Sequence, residues 1–155
     1  MLFRSKDYSS NWAYSNTGRN NQIKLNSTDV PHVVFFDDYY DDVYLSVRVN
    51  GSWSSSSVDD YGGIYTIYGE RAISLAIDST DGLHVAYYDL GGRFLEYAHR
   101  GPGESSWTKT NVHDQGNHYI GTSVSIALDS ADRPHIAYHD RTHWDLEYEI
   151  GRAHV

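Results

Sequence analysis

A chain of 155 residues is long enough to build one domain around a core of its own, and its 12 basic and 21 acidic residues leave a formal charge of -9. That charge repels a phosphate backbone and an anionic membrane surface, so no nucleic-acid partner is expected. The absence of cysteine removes disulfide frameworks, thiolate metal sites and thiol nucleophiles.

No apolar run approaches the roughly 18 residues that a membrane helix needs, so no membrane insertion is expected, and Met1 to Leu25 lacks the apolar stretch of a signal peptide. An apolar content of 39% combined with 14 tyrosines suits half-buried strands better than helical bundles. The composition predicts an all-β chain.

In chain order, residues 1–21 are polar and rich in Ser, Asn and Tyr, with Trp12 as the one strong anchor. Beyond them three segments say nearly the same thing: Gln22 to Leu45, Ser74 to Tyr97 and Ser125 to Tyr148. His32, His84 and His135 recur at steps of 52 and 51 residues, as do Asp37, Asp89 and Asp140. The chain is read as a tandem repeat with units at 22–73, 74–124 and 125–148.

Each unit opens on a strand (Gln22–Leu25, Ser74–Ile77, Ser125–Leu128) that ends in an Asp- and Ser-rich loop able to bond nearby backbone amides and hold a hairpin. A second strand follows at His32–Phe36, His84–Tyr88 and His135–His139, where Pro31 and Pro134 stand in front and their missing donors are tolerated. The third is expected at Val43–Ser46, Arg93–Tyr97 and Asp145–Tyr148, the fourth at Trp53–Val58 and Trp107–Val112.

Trp53 and Trp107 follow their repeat cores at similar distances, so they are structural repeat positions, and Trp12 then fits the outer strand of an earlier unit. Residues 1–21 are accordingly read as a linker or the end of a preceding unit.

Leu75 and Ile77 alternate with Ser74 and Ala76, and Val85 and Tyr87 with His84, Ala86 and Tyr88, so both faces of a sheet are uncharged and both are expected to be buried. Four strands per unit of about fifty residues is the pattern of a propeller blade. The prediction is an all-β partial β-propeller of four-stranded antiparallel blades, about three in an open arc. Its open blade edges make self-association a possible outcome.

The pattern S-[IL]-A-[IL]-D-S-x-x-x-x-H-[IV]-A-Y-x-D, followed by a short turn, L-E-Y and a later Trp, resembles the tandem repeats of bacterial β-propeller proteins of the sialidase-like and propeller-lectin-like kind. The resemblance implies a long secreted or cell-surface protein in which the propeller is a scaffold. The final EIGRAHV, 149–155, resembles a translated sequencing adapter and departs from the repeat, so it is read as a non-native tail and the chain as a fragment of a longer array.

The enzyme reading fails on the residues. The Asp-box of sialidases, S-x-D-x-G-x-x-W, finds only Ser79-Thr80-Asp81-Gly82, with Gly one place early and no Trp behind it. Arg19, Arg71 and Arg93 stand at unlike positions in their units, and no Tyr and Glu pair stands out to serve as nucleophile and activator. A non-catalytic binding or scaffold module is the reading; the alternative is a fragment of a sialidase-like glycoside hydrolase.

Neither cofactor nor metal is expected. The repeated His32, His84 and His135 are rotated from blade to blade and do not converge, so each is read as bonded to its own Asp and Ser loop. Asp37, Asp89 and Asp140 are read as turn acceptors, with the acidic run from Asp37 to Asp42 either a solvated turn or a recruiter of a hard cation.

Ligand recognition is placed in the variable segments that join one unit to the next. The candidates are Tyr61, Tyr65, Tyr68, Asn117, His118 and Tyr119, whose chemistry suits stacking on a sugar ring and bonding its hydroxyls. The same tyrosines also suit packing between blades, and a glycan or a protein are both open as the partner.

Overall fold

A computed structural model of the chain describes residues 17–37, 42–60, 72–89, 94–113 and 120–151. Among the described residues there is no helix; eleven strands form three antiparallel sheets. The first sheet contains β1 (Thr17–Leu25), β2 (Pro31–Asp37), β3 (Asp42–Val49) and β4 (Ser52–Asp59) in sequence order. The second contains β5 (Ile73–Ile77), β6 (Leu83–Asp89), β7 (Phe94–Arg100) and β8 (Thr108–His113), and the third β9 (Ile120–Leu128), β10 (Pro134–Asp140) and β11 (Asp145–Ile150). The chain is a partial propeller of antiparallel blades in an unclosed arc, as expected.

Some strands run further than their sequence signals. β1 begins at Thr17 rather than Gln22 and β9 at Ile120 rather than Ser125, each extension passing through a register irregularity, between Arg19 and Gln22 and between Tyr138 and Asp140. Such bulges interrupt the alternation by which a strand is recognised. β7 continues to Arg100, and Glu149 and Ile150 extend β11 opposite Ile136 and His135, because a partner strand supplies ladder bonds along its whole length. Trp107 lies immediately before β8 rather than in it.

The loops between the first and second strands of each sheet are built alike. Asn26 Oδ1 accepts from the Thr28 and Val30 amides, Asp78 Oδ1 from the Thr80 and Gly82 amides, and Asp129 Oδ1 from the Ala131 and Arg133 amides. In each the fourth loop residue takes a positive φ: 60° at Asp29, 70° at Asp81 and 57° at Asp132. Asp tolerates this left-handed conformation better than most residues.

That conformation brings the Asp carboxylate to the preceding loop. Asp81 accepts from the Ser27 amide at 2.8 Å and its hydroxyl at 2.6 Å; Asp132 accepts from the Ser79 amide at 3.1 Å and its hydroxyl at 2.5 Å. One latch thus joins the first sheet to the second, and a copy of it joins the second to the third.

Packing repeats in step with the latches. Val34, Phe36, Val43 and Leu45 of the first sheet meet Ile73, Leu75, Val85 and Tyr87 of the second, while Ala76, Ala86, Leu95 and Tyr97 on the other face of the second sheet meet Ile126, Ile136 and Tyr138 of the third. The second sheet is therefore buried on both faces, as its uncharged alternation predicts. Each fully enclosed Leu or Val contributes about 1.5–3 kcal/mol over its exposed state.

The outer face of each end sheet stays open. Ile23 and Leu25 of the first sheet are 58% and 55% exposed, and Leu146, Tyr148 and Ile150 of the third are 79%, 54% and 53% exposed.

Candidate functional site

Antiparallel pairing places the β5–β6 loop and the β7–β8 loop at one end of the second sheet. The latch from Ser79 draws the β9–β10 loop of the third sheet over that end. Between them lies a cleft of about 210 Å³, lined by Asp78, Thr80, His84 and His99 of the second sheet and by Ala131 and Asp132 of the third.

His84 and His99 sit directly opposite each other on β6 and β7, with ring centres 4.6 Å apart. His84 is 2% exposed, its Nδ1 2.7 Å from the Tyr97 hydroxyl and its Nε2 3.1 Å from Asp78 Oδ2. Burial pushes the Asp78 carboxyl up, but bonds from the His84 ring, the Gly82 and Thr80 amides and the Thr80 hydroxyl outweigh it and hold the group down at about 2. Asp78 is thus a carboxylate at neutral pH with one oxygen committed to the loop and the other turned to the imidazoles.

The neighbouring units vary this arrangement. In the third, His135 Nδ1 bonds the Tyr148 hydroxyl, and Asp129 Oδ2 is shared between the Arg133 guanidinium at 2.6 Å and His135 Nε2 at 3.4 Å. In the first, His32 turns Nδ1 to the Val30 carbonyl at 3.0 Å. The positions that match His99 are Val47 and Ile150, opposite His32 and His135.

At the other end of the sheets, Asp140 accepts from the Thr142 amide at 2.6 Å and the His143 ring at 2.7 Å. Burial would raise it, and these bonds lower it to about 2. Asp37 is buried beside the start of β3, and Asp89 closes β6 opposite Phe94. Trp53 pairs with Arg48 at the outer edge of the first sheet; Trp107 packs on the core between the first and second sheets, with the Arg100 guanidinium 4.6 Å from its ring centre.

Tyr61, Tyr65, Tyr68, Asn117, His118 and Tyr119 lie outside the described residues. The strands that lead towards them, β4 and β8, end beside Val43 and Leu95, at the edge of the sheets away from the cleft.

The structure does bring a Tyr and a Glu together, which sequence reading missed because they come from different strands. Tyr87 Oη lies 2.6 Å from Glu96 Oε2 and 3.0 Å from Asp59 Oδ2, and Lys109 pairs with Asp59. Burial, reinforced by both carboxylates, drives the Tyr87 phenol far above its ordinary 10. A nucleophilic phenol needs the opposite shift and access to substrate, and Tyr87 is fully enclosed. The group is a half-buried polar clamp across β4, β6 and β7.

No family model matches this chain, and no curated protein sequence matches it. A fucose lectin from Kordia zhangzhouensis, solved in complex with methyl-fucoside, aligns with it at a TM-score of 0.56 and 11% identity, covering 84% of this chain and 90% of the lectin chain. The likeness is one of fold. Position by position, the two chains differ at nearly nine residues in ten over the aligned length, so binding residues do not transfer from it.

Proposed function

We propose that this chain is a non-catalytic glycan-binding module of a secreted or cell-surface protein. The observation that carries the reading is the extent of the fold likeness to the fucose lectin, which spans most of both chains. The acid-flanked Tyr87 supports binding over hydrolysis, since the Tyr of this Tyr–Glu pairing is fully enclosed and out of reach of a substrate. Recognition is assigned to residues of 61–68 and 117–119, among which Tyr65 and Tyr119 have the chemistry to stack on sugar rings.

Copies of the chain associate in register through their open faces. The outer face of the first sheet (Ile23, Leu25, Phe35) matches the Leu75, Ile77 and Tyr87 face by which the second sheet packs on the first. Asp29 and Ser130 stand at the two ends of the latch series, so Ser130 of one copy has the chemistry to bond Asp29 of the next.

A glycan array tests the binding reading. The wild type is expected to bind a restricted set of glycans, and Tyr65→Ala and Tyr119→Ala to lose that signal with melting temperature unchanged. Failure of the wild type to bind any glycan overturns it in favour of a protein-binding scaffold.

A further inference from the structure

The three sheets repeat the same opening loop and paired strands, and around one point the second departs from the first at three places and from the third at two. Where the first unit has Asn26, the second has the carboxylate of Asp78. Where the third has Arg133 holding the second oxygen of Asp129, the second has Gly82, whose added Cβ would fall 2.2 Å from Asp78 Oδ2. Where the others have Val47 and Ile150, the second has His99. The scaffold does not need this combination in order to fold, since neither of its other copies carries it.

We propose that Asp78, His84 and His99 form a site for a divalent transition-metal ion, with the cleft beside them as its open side. One ligand atom from each lies within 4.8 Å of the others. Two imidazoles and one carboxylate are a donor set suited to zinc, and a bound ion draws the three atoms closer than they stand here.

The surroundings orient these groups before any ion arrives. Asp78 Oδ1 accepts bonds from the Thr80 amide and hydroxyl and the Gly82 amide, which leaves Oδ2 aimed at His84. The Tyr97 hydroxyl sits on His84 Nδ1, the outer partner that a ligating histidine requires. With an ion on Nε2, the remaining ring nitrogen Nδ1 carries its hydrogen towards the Tyr97 oxygen. Glycine at 82 keeps the space that the carboxylate occupies.

Isothermal titration of the metal-free chain with Zn²⁺ at pH 7.5 tests this, with Co²⁺ absorption as the second readout. One saturable equivalent is expected, with ligand-field bands of a low-coordinate Co²⁺ site. His99→Val and Gly82→Val, which install residues of the first unit, are each expected to weaken it at least about tenfold. The single-site character should survive in His143→Ala and His139→Ala, which alter histidines at the other end of the sheets.

Loss of binding in His99→Val with unchanged circular dichroism and melting supports the site. Absence of a saturable equivalent in the wild type, or equal affinity in His99→Val, overturns it. The cleft lies at the edge of the sheets away from the ends of β4 and β8, so this outcome is independent of the glycan array.

Discussion

Replacing Asp78 by Asn separates the charge of this side chain from its shape. Asn26 already does the same backbone work in the first unit, with Oδ1 accepting from the Thr28 and Val30 amides at 3.1 and 2.8 Å. The loop of the Asp78→Asn variant therefore keeps its turn and loses only the carboxylate. In the wild type that carboxyl titrates at about 2 in place of the ordinary 3.8, which at about 1.4 kcal/mol per pH unit makes the ionised form worth roughly 2 kcal/mol of folding stability.

The sign follows from the direction of the shift. A carboxyl held low in the folded chain stabilises it fully above the unfolded value near 3.8, and the contribution is lost as pH falls from there towards 2. Urea unfolding followed by tryptophan fluorescence, in the presence of EDTA, is expected to place Asp78→Asn about 2 kcal/mol below wild type at pH 7 and level with it near pH 2. Asp78→Ala, which also strips the loop of its acceptor, should be lower again by roughly 1–3 kcal/mol at every pH. A constant gap between Asp78→Asn and wild type across this range would refute the electrostatic account; equality of the Asn and Ala variants would refute the loop account.

Two other substitutions probe the core and the open face. Tyr87→Phe installs the side chain that Phe35 carries at the matching place in the first unit, so it leaves no cavity and removes only the bonds to Glu96 and Asp59; a loss of about 1.5–3 kcal/mol in thermal or urea unfolding is expected. Leu146→Lys places a charge on the outer face of the third sheet. Sedimentation of the wild type should show a mass that grows with concentration, and the variant a monomer; a wild type that is monomeric at all concentrations rules out association through that face.

Repetition made the scaffold legible. Three occurrences of His, Asp and the alternating apolar pairs marked the strands, and the two-sided burial of Leu75, Val85, Ala86 and Leu95 follows from the uncharged alternation around them. The same emphasis on what recurs hid what does not. His99 was visible in the second unit, yet its meaning depends on the β6–β7 register that puts it opposite His84, and Gly82 acquires a role only once its distance to Asp78 is known.

Tyr87 and Glu96 were likewise separate letters until β6 and β7 paired. The extensions of β1 and β9 escaped notice for another reason, since a bulge shifts the side-chain alternation by one residue and the strand no longer looks continuous.

The serine-to-aspartate latch has a consequence for how the chain holds together under stress. Because, among the described residues, each opening loop bonds the next and each apolar core is shared by two adjacent sheets, the free energy of the arc is close to a sum of unit terms and nearest-neighbour couplings. The middle sheet carries two couplings and each end sheet one. Fraying accordingly begins at the ends and moves inward, so the amides of β5, β6 and β7 exchange last, and the Asp78–His84–His99 cluster sits in the part of the molecule that opens least.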